Sequence, residues 1–362
     1  MKNDRMAFLS RFVLRSLLYA LRTLLLAFST LLFALSTSLF SNVDAAQPTD
    51  KLRIALFPFE NLTDDNSALI EIMSVVKGRL EKRGLEIVDD DTLNKFLLKE
   101  RVRSTGYVSR DIAQKLEKEL NVNAILVGSI TSYYNIKNPQ VGVLARLVDS
   151  TNGVILWANQ ASATGEDYTK ILGLGTVKTM DRLIPIVVDR LLDSFSSETP
   201  PKAKELTHRI AVMPFQNKSK HKDAGMVVTY MFLIGLYKNA GYEPIEYGDI
   251  RRLTVDFRIK HRGELDYKNI GGMSEALGVD GIVVGTVELF YDGLDTSLPP
   301  EVAISARLIS AHKDRILWSD SVQLNGDEDI IALDWGRIRA IDSVAYKVVK
   351  ELIQKMEKTK WQ

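Results

Sequence analysis

What most constrains the fold of this 362-residue chain is that the chain repeats itself. Arg53-Ile54-Ala55-Leu56-Phe57-Pro58-Phe59-Glu60-Asn61 returns as Arg209-Ile210-Ala211-Val212-Met213-Pro214-Phe215-Gln216-Asn217, an offset of 156 (209 − 53). Leu126-Val127-Gly128-Ser129-Ile130 returns as Val283-Val284-Gly285-Thr286-Val287, and Ala145-Arg146-Leu147-Val148 as Ala306-Arg307-Leu308-Ile309. Ile155-Leu156-Trp157 returns as Ile316-Leu317-Trp318. The matches keep their order and nearly keep their spacing. A period this long is too large for a solenoid unit, so each copy is a whole folding module. Ser194–Lys204 is polar, aperiodic and carries Pro200-Pro201, which makes it a short stiff linker. The expected organisation is an N-terminal segment over 1–45, a module over 50–195, a linker over 196–207 and a second module over 208–358.

Periodicity orders the elements within a copy. Arg53–Phe57 is strand-like and stops at Pro58, which has no ladder donor. Leu69, Ile72, Met73, Val76 and Leu80 follow helical spacing, with Gly84 placed to end the helix. Leu85–Val88 is a second strand. Asp89-Asp90-Asp91 precedes a helix through Leu93, Phe96 and Leu97, and a third helix spans Ser109–Leu120. Ala124–Ile130 is a nearly continuous apolar strand, the type buried on both faces. Val141–Val148 and Val154–Trp157 read as a hairpin turned at Asn152-Gly153. A long amphipathic helix closes each copy. In the second copy its apolar face is Ile341, Val344, Ala345, Val348, Leu352, Ile353 and Met356; in the first, Pro185 replaces Tyr346 and predicts a kink. The fold class is α/β: two tandem modules, each a mixed sheet flanked by helices.

Ahead of the modules, Lys2, Arg5, Arg11, Arg15 and Arg22 precede an uncharged run from Thr23 to Val43, which ends at Val43-Asp44-Ala45. A basic segment, an apolar segment and a small-x-Ala site read as a secretory signal peptide. The rival is an uncleaved inner-membrane anchor with its basic end inside. Either way the body lies outside the cytoplasm, and periplasmic localisation is expected.

Composition removes several chemistries. There is no cysteine, so disulfides, thiolate metal sites and a cysteine nucleophile are excluded. Lys+Arg is 47 against Asp+Glu 46, which provides no global basic field for nucleic acid. None of the four histidines, His208, His221, His261 and His312, has a second ligand at metal-site spacing. No nucleophile elbow, P-loop or dinucleotide fingerprint occurs, and Gly173-Leu174-Gly175 lacks the third glycine. Asp89-Asp90-Asp91 could hold a divalent cation, but its place before a helix makes capping the better account. In the second copy Tyr247-Gly248-Asp249 keeps one carboxylate there, as a cap requires. An enzyme is not expected, nor is a cofactor.

Phe57-Pro58-Phe59-Glu60-Asn61, Val127-Gly128-Ser129 and Arg146-Leu147-Val148-Asp149 with Gly153 and Leu156-Trp157 together resemble the CsgG-like/TolB N-terminal-like family. The second copy keeps Met213-Pro214-Phe215-Gln216-Asn217, Val284-Gly285-Thr286 and Leu317-Trp318. That family includes the periplasmic part of the curli secretion channel, the TolB amino-terminal domain and flagellar outer-membrane-associated assembly proteins. The resemblance implies a non-enzymatic accessory or assembly factor of the envelope. Its implied partners are envelope proteins, a second copy of the chain among them, and no nucleic acid. Three departures limit the transfer: there is no N-terminal cysteine to lipidate, no block of long strands for a membrane barrel, and no propeller repeats.

The copies also differ. After the first strand, Leu62-Thr63-Asp64-Asp65-Asn66 in one becomes Lys218-Ser219-Lys220-His221-Lys222 in the other. A further basic cluster, Arg251, Arg252, Arg258, Lys260, His261 and Arg262, follows the second strand of copy two. The bland reading is a solvated surface. The sharper one is an interaction surface over Lys218, Lys220, Lys222, Arg251, Arg252, Arg258, Lys260 and Arg262 for an anionic partner: a glycan, a lipid head group or an acidic protein. Trp157 and Trp318 read as core packing, as do Tyr133-Tyr134 and Phe290-Tyr291. The alternative function from another class is a two-lobed small-molecule-binding protein with its ligand in the inter-domain cleft. Such proteins usually cross between lobes more than once, whereas a single Pro-Pro linker predicts one crossing.

Overall fold

The computed structural model describes residues 52–169, 175–196, 208–239, 241–256, 267–294, 298–313, 315–330 and 336–361. The expected signal or anchor segment and linker residues 197–207 lie outside them. The first module runs β1 (Arg53–Leu56), β2 (Glu60–Asn61), α1 (Ser67–Lys82), β3 (Glu86–Ile87), α2 (Asp90–Lys99), α3 (Arg110–Leu120), β4 (Ala124–Tyr134), β5 (Gln140–Asp149), β6 (Ile155–Thr164) and α4 (Met180–Leu191). The second runs β7 (His208–Val212), β8 (Gln216–Asn217), α5 (Ala224–Lys238), β9 (Tyr242–Pro244), α6 (Tyr247–Asp256), α7 (Tyr267–Leu277), β10 (Gly281–Tyr291), β11 (Glu301–Ser310), β12 (Ile316–Asn325) and α8 (Ile341–Met356). The order of elements is the same in both. The hairpin arms are longer than the sequence suggested, since β6 continues seven residues past Trp157.

Each module builds one mixed sheet, in the order β3-β1-β4-β5-β6 and its counterpart β9-β7-β10-β11-β12, with β2 and β8 added beside β4 and β10. The inner strands pair in parallel, and the two hairpin arms are antiparallel. Even the irregularities repeat: register shifts fall between Ile130 and Ser132 and between Val287 and Leu289.

The Pro-Phe-x-Asn segment is part strand and part turn. The chain does leave β1 at Pro58, but it resumes pairing at once as β2, and Leu62 donates its N–H to the Ile130 carbonyl at 3.0 Å. The turn follows two residues later and depends on the asparagine. Asn61 Nδ2 donates to the Asp65 carbonyl at 2.8 Å, and Asn61 Oδ1 accepts from the Thr63 N–H at 3.1 Å. Asn217 does the same with His221 (2.6 Å) and Ser219 (2.9 Å), so the swap from acidic to basic loop leaves the scaffold of the turn untouched. The glycine of the Val-Gly-Ser motif has a steric role. A Cβ on Gly128 would lie 2.6 Å from the Phe59 ring, and one on Gly285 would collide with Phe215. The two motifs are therefore one device, in which the Phe just before β2 or β8 lies across the Gly of the central strand.

The helices show what differs between the modules. Helix α1 buries one stripe, Ala68, Ile72, Val76 and Leu80, and leaves Ile70 76% exposed. It ends at Gly84, which takes φ +80° and donates its N–H to the otherwise unpaired Glu81 carbonyl. Helix α4 continues through Pro185 to Leu191. Helix α5, the counterpart of α1, is buried at every position from Val227 to Leu236. A helix apolar on all sides needs cover on all sides. One side of α5 has its own sheet and α8. The other side has the first module, whose Leu62, Leu144, Ile155 and Ala158 belong to the core of the second module. The modules thus share one core. Among the described residues no helix is long and apolar enough to cross a membrane.

Gly128→Ala and Gly285→Ala should each lower the unfolding free energy by about 1–3 kcal/mol through overpacking against the phenylalanine ring. Urea denaturation checks this, and Phe59→Leu combined with Gly128→Ala should recover part of the loss.

Candidate functional site

A buried constellation of charged and polar side chains lies where the modules meet. Arg146 on β5 points out of the first sheet toward Glu246, which follows β9 in the second module. Their side chains are 0% and 1% exposed. The contact is bidentate: Arg146 Nε donates to Glu246 Oε2 at 2.8 Å, and Nη2 donates to Oε1 at 2.9 Å. Nη2 also reaches the Gly106 carbonyl at 2.8 Å. The guanidinium lies 4.6 Å from the centroid of the Tyr230 ring on α5, which supports Nη1, a group with no acceptor. Tyr230 donates its hydroxyl to Glu60 on β2 at 3.0 Å, and Ser104 donates to the other Glu60 oxygen at 3.1 Å. Burial opposes the Arg146 charge, but Glu246 more than offsets it, so the guanidinium is held charged. Burial and then the Glu60 charge push the Tyr230 hydroxyl well above its ordinary range.

A second buried carboxyl sits nearby. Asp342, at the start of α8, reaches across the junction and accepts a short hydrogen bond from Ser132 on β4. Its Oδ1 has no partner. Gly142 on β5 makes this approach possible, because a Cβ there would collide with the Asp342 carboxylate. Desolvation raises the Asp342 pKa above its ordinary 3.8, against the hydrogen bonds from Ser132 and Thr131 and the charge of His221.

Smaller contacts complete the seam. Tyr134 donates to Asp292 at 3.1 Å, Ser162 and Ser343 lie 2.7 Å apart, and Tyr237 donates to the Leu156 carbonyl at 2.5 Å. Asp249 was expected to cap its own helix. Instead its Oδ1 accepts from the backbone N–H of Arg110 at 2.8 Å, which caps α3 of the other module. In the first module Asp89 does cap its own helix, accepting from the Thr92 N–H at 3.0 Å, and Asp90 pairs with Lys77 at 2.6 Å.

At one end of the seam lies a groove of about 860 Å³. Trp157, Asn159, Arg190, Asp193, Tyr237 and Lys238 are among its lining residues. Lys238 donates to Asn159 at 2.5 Å, and burial lowers its pKa. Trp157 itself is core, edge-on to Phe195 at 5.0 Å.

The described basic residues singled out in the sequence have separate surroundings. Lys218 pairs with Glu288 at 3.2 Å, while Arg252 lies 3.6 Å from Asp111 of the first module and so belongs to the seam. Arg251 Nη1 reaches the Thr254 hydroxyl at 3.5 Å on its own helix. Lys220 and Lys222 are exposed. Arg258, Lys260, His261 and Arg262 lie outside the described residues. His208 stacks on Trp361 at 3.9 Å, His221 packs on Phe290, and His312 lies 3.6 Å from Asp280. Among the described residues no three His, Asp or Glu side chains cluster as metal ligands.

The seam's central pair was missed from the sequence. Its one signal was Arg146, a charge in the middle of the apolar run Val141–Val148. Nothing local pointed to Glu246.

Arg146→Met should cost about 3–5 kcal/mol, because it strands the Glu246 carboxylate in the core. Arg146→Met with Glu246→Met should recover most of that loss, measured by urea denaturation. Asp342 is raised in the folded state, so its contribution to stability is complete below the ordinary value of 3.8 and lost as pH climbs through the raised value. Asp342→Asn should flatten that decline and hold or increase stability at neutral pH, read from melting temperature against pH.

A family profile described as FlgO protein matches residues 34–167, from within the N-terminal segment to just past β6. Among solved structures, the chain is similar to the PelC dodecamer from Paraburkholderia phytofirmans at 16% identity, over 41% of this chain and 86% of that one, with a TM-score of 0.28. It is similar to lipoprotein GNA1162 from Neisseria meningitidis at 21% identity, over 39% and 95%, with a TM-score of 0.29. It is also similar to the LpoB C-terminal domain from Salmonella enterica at 12% identity, over 34% and 87%, with a TM-score of 0.25. No curated protein matches the sequence.

Proposed function

We propose that this protein is an extracytoplasmic accessory factor of the cell envelope, working through protein contacts and not by turning over a substrate. The observation that carries this reading is the seam. The surfaces that a two-lobed binding protein would keep open are closed by a shared core and by Arg146–Glu246. The buried polar groups there hold one module to the other. The basic and apolar N-terminal segment supports export, and the FlgO match over 34–167 supports an envelope role. The modules are of the CsgG-like/TolB N-terminal-like kind by their repeated Pro-Phe-x-Asn and Val-Gly-Ser motifs. Retention at the envelope runs through the exposed basic loop carrying Lys218, Lys220 and Lys222, which suits an anionic partner.

Cross-linking in intact envelopes followed by purification of the tagged full chain should recover discrete envelope proteins. Recovery of the chain without any would overturn the reading. Reversing Lys218, Lys220 and Lys222 to Glu should release the chain from washed envelope fractions, and unchanged retention would remove the basic loop from the account. A second reading has one observation in its favour, the groove beside Lys238. A small ligand seated there would raise the melting temperature in a metabolite screen, and Lys238→Met would abolish the rise.

A further inference from the structure

The duplication places the same sheet face in two settings. On the first module, the outer strip of β4, β5 and β6 is covered by α5 and by the Glu246 corner of the second module. On the second module, the equivalent strip of β10, β11 and β12 carries Arg307, Ser319, Ser321 and Gln323, all exposed. Arg307 is the counterpart of Arg146, and no partner for it is found among the described residues. One module face is completed within the chain. The other is not.

The covering side has a counterpart too. The registers Arg53↔Glu86 and Arg209↔Glu243 align the second strands at an offset of 157 (243 − 86). That offset makes Asp89 the counterpart of Glu246. Asp89 is exposed at the N-terminus of α2 and keeps its negative charge, because the Thr92 N–H and hydroxyl hold its pKa down. The residue that would meet Arg307, if the seam were built again, therefore has the required sign.

We propose that a second copy of this chain docks head to tail on this face, repeating the seam between chains. The α1–α2 side of one chain's first module lies on β10–β12 of another, with Asp89 opposite Arg307. Lys82 and Asp320, the counterparts of Lys238 and its acceptor Asn159, also carry opposite charges, but Asp320 already lies 3.5 Å from Lys355, so the contact rests on Asp89 and Arg307. The apolar part of the seam is lost: Leu144, Ala158 and Tyr230 have Ser305, Ser319 and Ser74 as counterparts. Asp181, the counterpart of Asp342, would approach Glu288 with like charge. The repeated contact is accordingly polar, weaker than the seam, reversible and sensitive to salt. It is heterologous, so it makes rings or filaments and not a two-fold dimer. This goes beyond the envelope reading, and its failure would leave that reading to the cross-linking experiment above.

The chain has no cysteine, which allows a direct test. The full chain carrying Asp89→Cys and Arg307→Cys should give a ladder of disulfide-linked oligomers on mild oxidation at low salt. The ladder should shrink at high salt. A control pairing Arg307→Cys with Lys355→Cys, on the far side of the second sheet, should give none. Asp89 also caps α2, so a second measurement leaves it in place: Arg307→Glu should lower the weight-average mass in sedimentation at low salt, and Arg307→Lys should keep it. A ladder no longer than the control's would overturn the proposal. So would equal linking from Arg307→Cys alone, which would mean a face-to-face contact, or a wild-type chain that sediments as a monomer at every concentration.

Discussion

Arg146 carries a full charge with no exposure, and the arrangement of the two modules follows from keeping it paired. A buried guanidinium needs a carboxylate in bidentate contact and further stabilising neighbours, here the Gly106 carbonyl and the Tyr230 ring face. Here the carboxylate comes from one module and the guanidinium from the other. The seam is therefore specified and not merely adhesive: sliding one module over the other would bury two unpaired charges. The apolar contacts of Leu144, Ile155 and Ala158 with α5 give the seam its area, and the ion pair gives it its register.

The consequence is asymmetry within a duplicated chain. Helices α1 and α5 occupy the same place in the same topology, yet α1 is amphipathic and α5 is apolar throughout. The difference is one of neighbours. Solvent covers the outer side of α1, whereas the first module's sheet covers the outer side of α5. The same division separates Arg146 from Arg307 and Asp342 from Asp181, each pair being one buried and one exposed copy of a single repeat position.

Most of the fold was legible because its determinants are local or repeated. The repeat set the number of modules, and period and turn chemistry placed most of the strands and helices. Asn61 and Asn217 act as turn residues as their type suggests, and Asp89 caps the helix that follows it. What escaped was non-local. β2 and β8 are two residues each, too short for any periodicity, and exist only because β4 and β10 pass beside them. Asp249 looks like a cap from its position and is one, but for a helix 139 residues earlier. The same holds for two of the basic residues: Lys218 and Arg252 face acidic residues distant in sequence.

The tandem α/β modules, their order of strands and helices, the absence of thiol chemistry and the basic, apolar N-terminus are all written in the amino-acid sequence. These are properties of composition, period and repetition, and they need no knowledge of what touches what. That the two modules share a core, that Arg146 finds Glu246 across it, and that the equivalent face of the second module is left uncovered emerge from the folded arrangement alone. A buried pair between residues 100 positions apart has no local signature, because desolvation and charge pairing depend on three-dimensional neighbours and leave the flanking sequence unchanged.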